Sequence, residues 1–317
     1  MKKLYIALGF VVATISTNVL AQSKETKTAD KLFSQFEYVK AAEAYLKLAP
    51  TTTDPYVYKQ LGDSYYNMFN TTEAVNWYAK ATATDQDAET YFKYAQMLKA
   101  NGKYDQANAQ MQKFASKAPN DARAKAFLAN PNYLSKLQSQ GKGYDVKKLD
   151  INSDQSDFGG VLNNGTLYFT SARNSARKSY GWTAESFLDL YQATYNTDGT
   201  ISNATTVNAL NTKFHDGPAT LSKDGNTIYY ASESYNENKY EKDAVTKNKM
   251  GQVGLYKATK QSTGWSNIEP LPFNSKDYST SNPSLSADGK TLYFSSNMPG
   301  SLGGRDIWKT TVSADGS

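Results

Sequence analysis

The chain has 317 residues, with 35 Lys and Arg against 30 Asp and Glu; a net charge of +5 without a dense basic stripe is weak ground for nucleic-acid binding. Cysteine is absent, which excludes disulfides, thiol catalysis, cysteine–zinc sites and lipid attachment at a cysteine. The length allows two or three domains of the usual ~100–200 residues.

Met1–Ala21 reads MKKLYIALGFVVATISTNVLA. Lys2 and Lys3 form a charged start, Leu4–Val12 an apolar stretch, and Val19-Leu20-Ala21 a cleavage site for export. The apolar run Leu4–Ile15 falls well short of the ~20 residues a membrane span needs. The pattern therefore predicts a signal peptide over 1–21, cleaved after Ala21.

From Lys24 to Leu137 the apolar period is helical and repeats. Tyr58–Ala81 reads YKQLGDSYYNMFNTTEAVNWYAKA, and Tyr91–Ala115 reads YFKYAQMLKANGKYDQANAQMQKFA. Ala41, Ala74 and Ala107 stand 33 residues apart, at the same place in three successive units. Small Gly62 is expected to let a paired helix approach, and Ala74, Tyr78 and Ala81 to form that helix's packing face. Pro119 is expected to end the last pair. The spacing and the Leu61-Gly62, Tyr65, Ala74 and Tyr78 pattern resemble tetratricopeptide repeats, over residues 22–137. The resemblance implies a groove along the first helices that takes an extended peptide or a partner domain. Projected here, the groove includes Tyr56, Lys59, Asp63, Tyr66, Phe92, Gln96 and Lys99, with an ordinary solvated face as the alternative.

Gln138–Tyr144 (QSQGKGY) is short, polar and glycine-containing, and reads as a linker over 138–144. Beyond it, from 145 to 317, apolar residues alternate as in strands. Three phrases recur: GVLNNGTLYFTSA at Gly160–Ala172, ATLSKDGNTIYYASE at Ala219–Glu233, and SLSADGKTLYFSSN at Ser284–Asn297. Their turn glycines Gly165, Gly225 and Gly289 lie 60 and 64 residues apart. Asn-Gly and Asp-Gly at these turns predict two-residue hairpins with φ > 0 at both positions. A second strand phrase follows each hairpin, at Asp189-Leu190-Tyr191, Gly254-Leu255-Tyr256 and Asp306-Ile307-Trp308, with further turns at Asp198–Gly199, Thr263–Gly264 and Asp315–Gly316. An Asn precedes each hairpin, at Asn152, Asn211 and Asn274. Two hairpins per unit make the four strands of a propeller blade.

The wording of Pro218–Tyr230 and Pro283–Phe294 resembles the WD40-like PD40 blades of TolB-type propellers. The first unit departs from it, with Phe158-Gly159-Gly160 in place of the proline. The expected fold is thus multidomain: an all-α tetratricopeptide solenoid followed by an all-β propeller with three recognisable, incomplete blades. Because the sequence stops inside the third unit, the expectation is the N-terminal part of a longer polypeptide, with blades supplied from elsewhere as the alternative.

His215 has no acidic or thiol partner at metal-ligand spacing, and alignment of the units sets it beside Phe158 and Thr280. No G-x-S-x-G or phosphate loop is present. Neither catalytic residues nor a cofactor is expected, and the acidic turn residues Asp198, Asp224, Asp288 and Asp315 are explained by turn geometry. Asp154 and Asp157 read either as a weak calcium site or as a plain loop. The long connection Ala172–Leu188 carries Arg173, Arg177, Lys178, Tyr180 and Trp182, and Glu233–Gly251 carries Tyr235, Tyr240 and several lysines. Long loops of this kind bear either function or mere mobile insertions; the basic-aromatic make-up suits a protein surface or a glycan.

Signal peptide, tetratricopeptide array and PD40 propeller in this order resemble envelope proteins of the OmpA family associated with type IX secretion and gliding. That resemblance implies a non-catalytic periplasmic scaffold associated with the outer membrane, with other envelope proteins as partners and no nucleic acid. Peptidoglycan would be held only through a C-terminal domain absent from this sequence. The alternative is a glycan- or peptide-recognition module using the propeller face.

Overall fold

The computed structural model describes residues 25–131, 133–242, 249–313 and 316. The expected signal peptide over 1–21, Asp315 of the last turn and the side chain of Tyr235 lie outside the described residues. The chain forms two compact units, one extending to Ala129 and the other beginning at Asn130.

The first unit is helical: α1 (Lys27–Ser34), α2 (Tyr38–Leu48), α3 (Pro55–Asn67), α4 (Thr71–Ala81), α5 (Ala88–Ala100), α6 (Tyr104–Lys117) and α7 (Ala122–Ala129). Each helix packs on the next, most extensively within the pairs α3–α4 and α5–α6. Local chemistry sets the starts. Asp54, with Pro55 at the first helical position, accepts the Tyr56 N–H, Asn70 accepts that of Glu73, and Asp87 that of Thr90. Ala41, Ala74 and Ala107 are completely buried, as are Tyr45 and Tyr78 one turn further on. Gly62 faces the Tyr78 ring so closely that a Cβ there would lie 2.6 Å from Tyr78 Cδ1.

The turns inside the pairs share one backbone device. The residue just past the first helix has φ > 0: Phe36 (61°), Phe69 (55°) and Gly102 (70°). The following N–H returns to a carbonyl five residues back, from Glu37 to Leu32, from Asn70 to Tyr65 and from Lys103 to Leu98. This is the left-handed helix stop that glycine normally occupies. Here phenylalanine occupies it twice, and Phe69 is 70% exposed.

The second unit opens with a short helix, α8 (Tyr133–Ser139), after which residues 141–149 are exposed and irregular. Three antiparallel meanders follow. The first sheet orders β1 (Asp157–Asn163), β2 (Thr166–Ser171), β3 (Asp189–Tyr195) and β4 (Ile201–Thr206). The second contains β5 (Asp216–Leu221), β6 (Thr227–Glu233), β9 (Val253–Gln261) and β10 (Gly264–Pro270), and a hairpin of β7 (Tyr240–Lys242) and β8 (Lys249–Gly251) is inserted between β6 and β9. The third has β11 (Thr280–Leu285), β12 (Thr291–Ser296) and β13 (Asp306–Thr311) among the described residues. β5 packs against β1 on one side and β11 on the other.

The middle sheet is covered on both faces. Ile228 and Tyr230 of β6 join a core with Tyr168 and Leu190 of the first sheet, while Tyr229 and Ala231 join Leu292 and Phe294 of the third. Alternation of apolar and polar residues therefore fails on β6, where every residue from Ile228 to Ser232 is buried. It holds on β12, where Leu292 and Phe294 are buried and Tyr293 between them is exposed. The equivalent asparagines act as clamps in two units. Asn211 accepts the Leu190 N–H at 2.7 Å and donates to its carbonyl at 3.0 Å, and Asn274 does the same to Leu255 at 2.9 and 2.7 Å. Asn152 instead accepts the Leu149 N–H.

The turn expectation needs correction. Asn164 and Gly165 both have φ > 0, as a two-residue hairpin requires. In the Asp-Gly turns only Gly225 and Gly289 do. Each Asp carboxylate instead closes the loop, taking the hydroxyl two residues before it and the N–H two residues after it. Asp224 accepts from Ser222 and Asn226, and Asp288 from Ser286 and Lys290. The register also revises the alignment of His215. Asp157, Asp216 and Thr280 face Ser171, Ser232 and Ser296, so His215 corresponds to Ser156 and Ser279, not to Phe158 and Thr280.

Two outcomes test the helical unit. Gly62→Ala should destabilise it by about 1–3 kcal/mol through the clash with Tyr78, read as a lower urea midpoint of the helical far-UV signal. Phe69→Gly should stabilise the unit by about 1 kcal/mol, read as a higher midpoint, because relief of the left-handed strain exceeds the entropy glycine adds to the unfolded chain.

Candidate functional site

The projected groove residues fall on α3 and α5, and all but one are half-buried. Asp63 is the exception, 2% exposed. Its Oδ1 accepts the Tyr78 hydroxyl at 2.8 Å and pairs with Lys93 Nζ at 2.9 Å, while Oδ2 pairs with Lys59 Nζ at 2.5 Å. Asp63 thus joins α3 to its paired helix α4 and to α5, and its carboxylate is not displayed to a partner. Burial pushes its pKa up, but the charges and hydrogen bonds of Lys59 and Lys93 outweigh this and hold it below the usual range. An equivalent node lies one repeat earlier. Asp30 accepts from Thr26 at 2.9 Å, Tyr45 at 2.5 Å and Tyr56 at 2.8 Å. Tyr56 is therefore tied to that node, and burial followed by its bond to Asp30 raises its pKa to about 12.

Around Asp63 the structure gathers Lys59, Lys93 and Tyr66, whose ring centroid is 5.4 Å from Lys93 Nζ. Phe92 packs against Phe114, with the Arg123 guanidinium 4.2 Å over its ring. Gln96 and Lys99 continue the face along α5. Lys93 and Arg123 were absent from the sequence reading. Their contacts to Asp63 and Phe92 span about thirty residues, from α5 back to α3 and from α7 back to α5, and only the 33-residue period could have pointed to them.

In the second unit the arginines of the 172–188 connection have structural partners. Arg173 Nη2 lies 2.7 Å from Asp157 Oδ1, with its guanidinium 4.9 Å from the Phe169 ring. Arg177 holds buried Asp189 through Nε and Nη2, the latter at 2.7 Å, and Asn174 donates to the same carboxylate. Of the five residues singled out there, Lys178 is the exposed one; Tyr180 and Trp182 stack at 6.4 Å and are half-buried. Asp157 is likewise committed. Burial raises its pKa, but hydrogen bonds from Ser171, Arg173 and Ser153 hold it well below the usual range. Among the described residues no group of three or more His, Asp or Glu is placed to hold a metal ion.

His215 is packed under this connection. Its Nδ1 accepts the Leu188 N–H at 3.0 Å, which puts the ring hydrogen on Nε2, and Tyr180 meets the ring edge-on at 4.5 Å. Burial lowers its pKa to about 4, so it is neutral at pH 7. Nε2 is 4.0 Å from Glu233 Oε1.

No protein-family model matches the chain, and no curated protein matches it significantly. Among solved structures it is similar to the first TPR domain of human RPAP3, over 37% of this chain and 94% of that one, at 17% identity and a TM-score of 0.32. It is similar to the Sgt2 TPR domain of Aspergillus fumigatus over 43% and 95%, at 15% identity and 0.33. YrrB, a TPR protein with an unusual peptide-binding site, is similar over 37% of this chain and 63% of its own, at 22% identity and 0.32. The tetratricopeptide-like character of the first unit rests on its own 33-residue recurrence of paired helices.

The buried node carries a sign-specific pH prediction. A folded pKa below the unfolded value of about 3.9 contributes stability above that pH and loses it as pH falls through the folded pKa. Asp63→Asn should therefore cost about 2–3 kcal/mol at neutral pH. The gap between the urea midpoints of variant and parent should narrow towards roughly pH 3.

Proposed function

We propose that the chain is a non-catalytic scaffold whose helical unit grips an extended segment of a protein partner along the α3 and α5 face. The observation that carries this reading is the make-up of that face. Lys59 and Lys93 share one buried carboxylate, leaving a net positive charge beside the half-buried rings of Tyr66 and Phe92. Such a face favours a partner segment with acidic and apolar side chains.

The finer reading follows the order of modules in the sequence. The domains are a signal peptide over 1–21, the repeat array over 22–137, a linker over 138–144 and part of a PD40-type propeller from 145 onward. The scaffold is then exported to the periplasm and associated with the outer membrane, where it links components of a type IX secretion or gliding apparatus to the envelope. Three successive meanders support the propeller reading, as does the one-sided burial of β12, whose Tyr293 face is open to cover by a further sheet. A second reading, recognition of a peptide or glycan by the second unit, is favoured by a cavity beside His215.

Tyr66→Ala combined with Phe92→Ala should weaken capture of the envelope partner roughly tenfold or more, as loss of two aromatic anchors implies. The check is cross-linking and co-purification from fractionated envelope, with the helical signal confirming that the variant folds. Undiminished capture would remove the groove from the reading, and absence of the native protein from the envelope fraction would remove the periplasmic assignment.

A further inference from the structure

The inner ends of the three sheets line an open pocket of about 430 Å³. Phe158 of β1, Pro218 of β5 and Val253 of β9 form its apolar wall with Leu188 and Tyr180 of the 172–188 connection. The volume is at the lower end of the range for ligand sites, enough for one side chain or a molecule of that size.

Two acidic side chains, Glu185 and Glu233, line the pocket, and among the described residues no Lys or Arg does. This is notable in a chain with 35 basic residues and a net charge of +5. Of the neighbouring cations, Arg173 and Arg177 hold Asp157 and Asp189, and Arg305 sits at the rim, where it donates to the Ser281 hydroxyl at 2.9 Å. Glu185 accepts the Ser156 N–H at 2.8 Å and hydroxyl at 2.7 Å, neutral donors that leave its charge in place. His215, neutral at pH 7, adds none next to Glu233.

We propose that this cavity binds an organic cation on an apolar stem, either the lysine or arginine side chain of an inserted peptide segment or a free amine of the same shape. The stem lies against Phe158, Leu188, Pro218 and Val253. The charged head sits between Glu185 and Glu233 beside Tyr180, where the carboxylates favour a cation. Burial, and then the charge of Asp216, push Glu233 up to about 7, so near neutral pH it carries part of its charge, and a bound cation favours the ionised form. The site lies wholly in the second unit and does not depend on the groove of the first.

The test is calorimetric titration of the full chain with hexylammonium, with hexanol as its neutral counterpart, and with the peptides Ala-Ala-Lys-Ala-Ala and Ala-Ala-Leu-Ala-Ala. The expected result is that at least one cationic probe binds about tenfold or more tightly than its neutral counterpart, and that Glu233→Gln reduces this preference about tenfold. Binding of the lysine peptide alone identifies a partner's side chain as the source; binding of hexylammonium alone identifies a small amine. Should Glu233→Gln fail to fold, Glu185→Gln and Phe158→Ala at the mouth decide, each expected to weaken cation binding several-fold. Absence of binding by both cationic probes, equal binding of the neutral ones, or indifference to the folded variants would overturn the proposal.

Discussion

A carboxylate taken out of water must be met by donors or it costs several kcal/mol, and the helical unit is built around two that are met in the same way. Asp63 receives the Tyr78 hydroxyl from its paired helix and an ammonium from the following repeat; Asp30 receives Tyr45 from its paired helix and Tyr56 from the following repeat. Each node therefore ties three helices, the two of one pair and the first of the next. Apolar packing alone would let these helices slide; a buried carboxylate with fixed donors sets one register. Gly62 belongs to the same arrangement, because only a hydrogen in place of a side chain lets the Tyr78 ring lie against α3 and bring its hydroxyl to Asp63.

The β-sheet unit solves a similar problem at its strand ends. Asp157 and Asp216, at the starts of β1 and β5, accept serine hydroxyls from the neighbouring strand, Ser171 and Ser232 at 2.6 Å each. The Asn211 and Asn274 amides then take both backbone groups of a residue on an inner strand of the sheet. The electrostatic outcomes differ. Arg173 compensates Asp157, whereas Asp216 has neutral donors and burial raises its pKa to about 6.

These constraints separate residues that hold the fold from those that remain available. Asp63, Arg173 and Arg177 are charged and lie in places where a partner is expected, yet each is engaged inside its own unit. The surface left on α3 and α5 is the aromatic and lysine-bearing rim around Asp63, and in the second unit it is the acidic cavity under the 172–188 connection. On the proposed readings, one face would take acidic partners and the other a cation.

Periodicity was legible from the residues alone. Ala41, Ala74 and Ala107 share a fully buried position because identical helical pairs must bury identical faces. The glycines at 165, 225 and 289 mark turns because the chain needs φ > 0 there. The asparagines before the hairpins were visible as a pattern, but their clamp was not, since its acceptors and donors lie about twenty residues away. Tertiary structure decided the charges and the second faces. A sequence does not say whether Asp63 meets water or a tyrosine from the next helix, whether Arg177 points outward or onto Asp189, or whether β6 is covered once or twice. Local propensity and turn chemistry act over a few residues. The dielectric around a carboxylate and the burial of a strand depend on elements brought together from 15 to more than 60 positions away, and only the assembled fold supplies them.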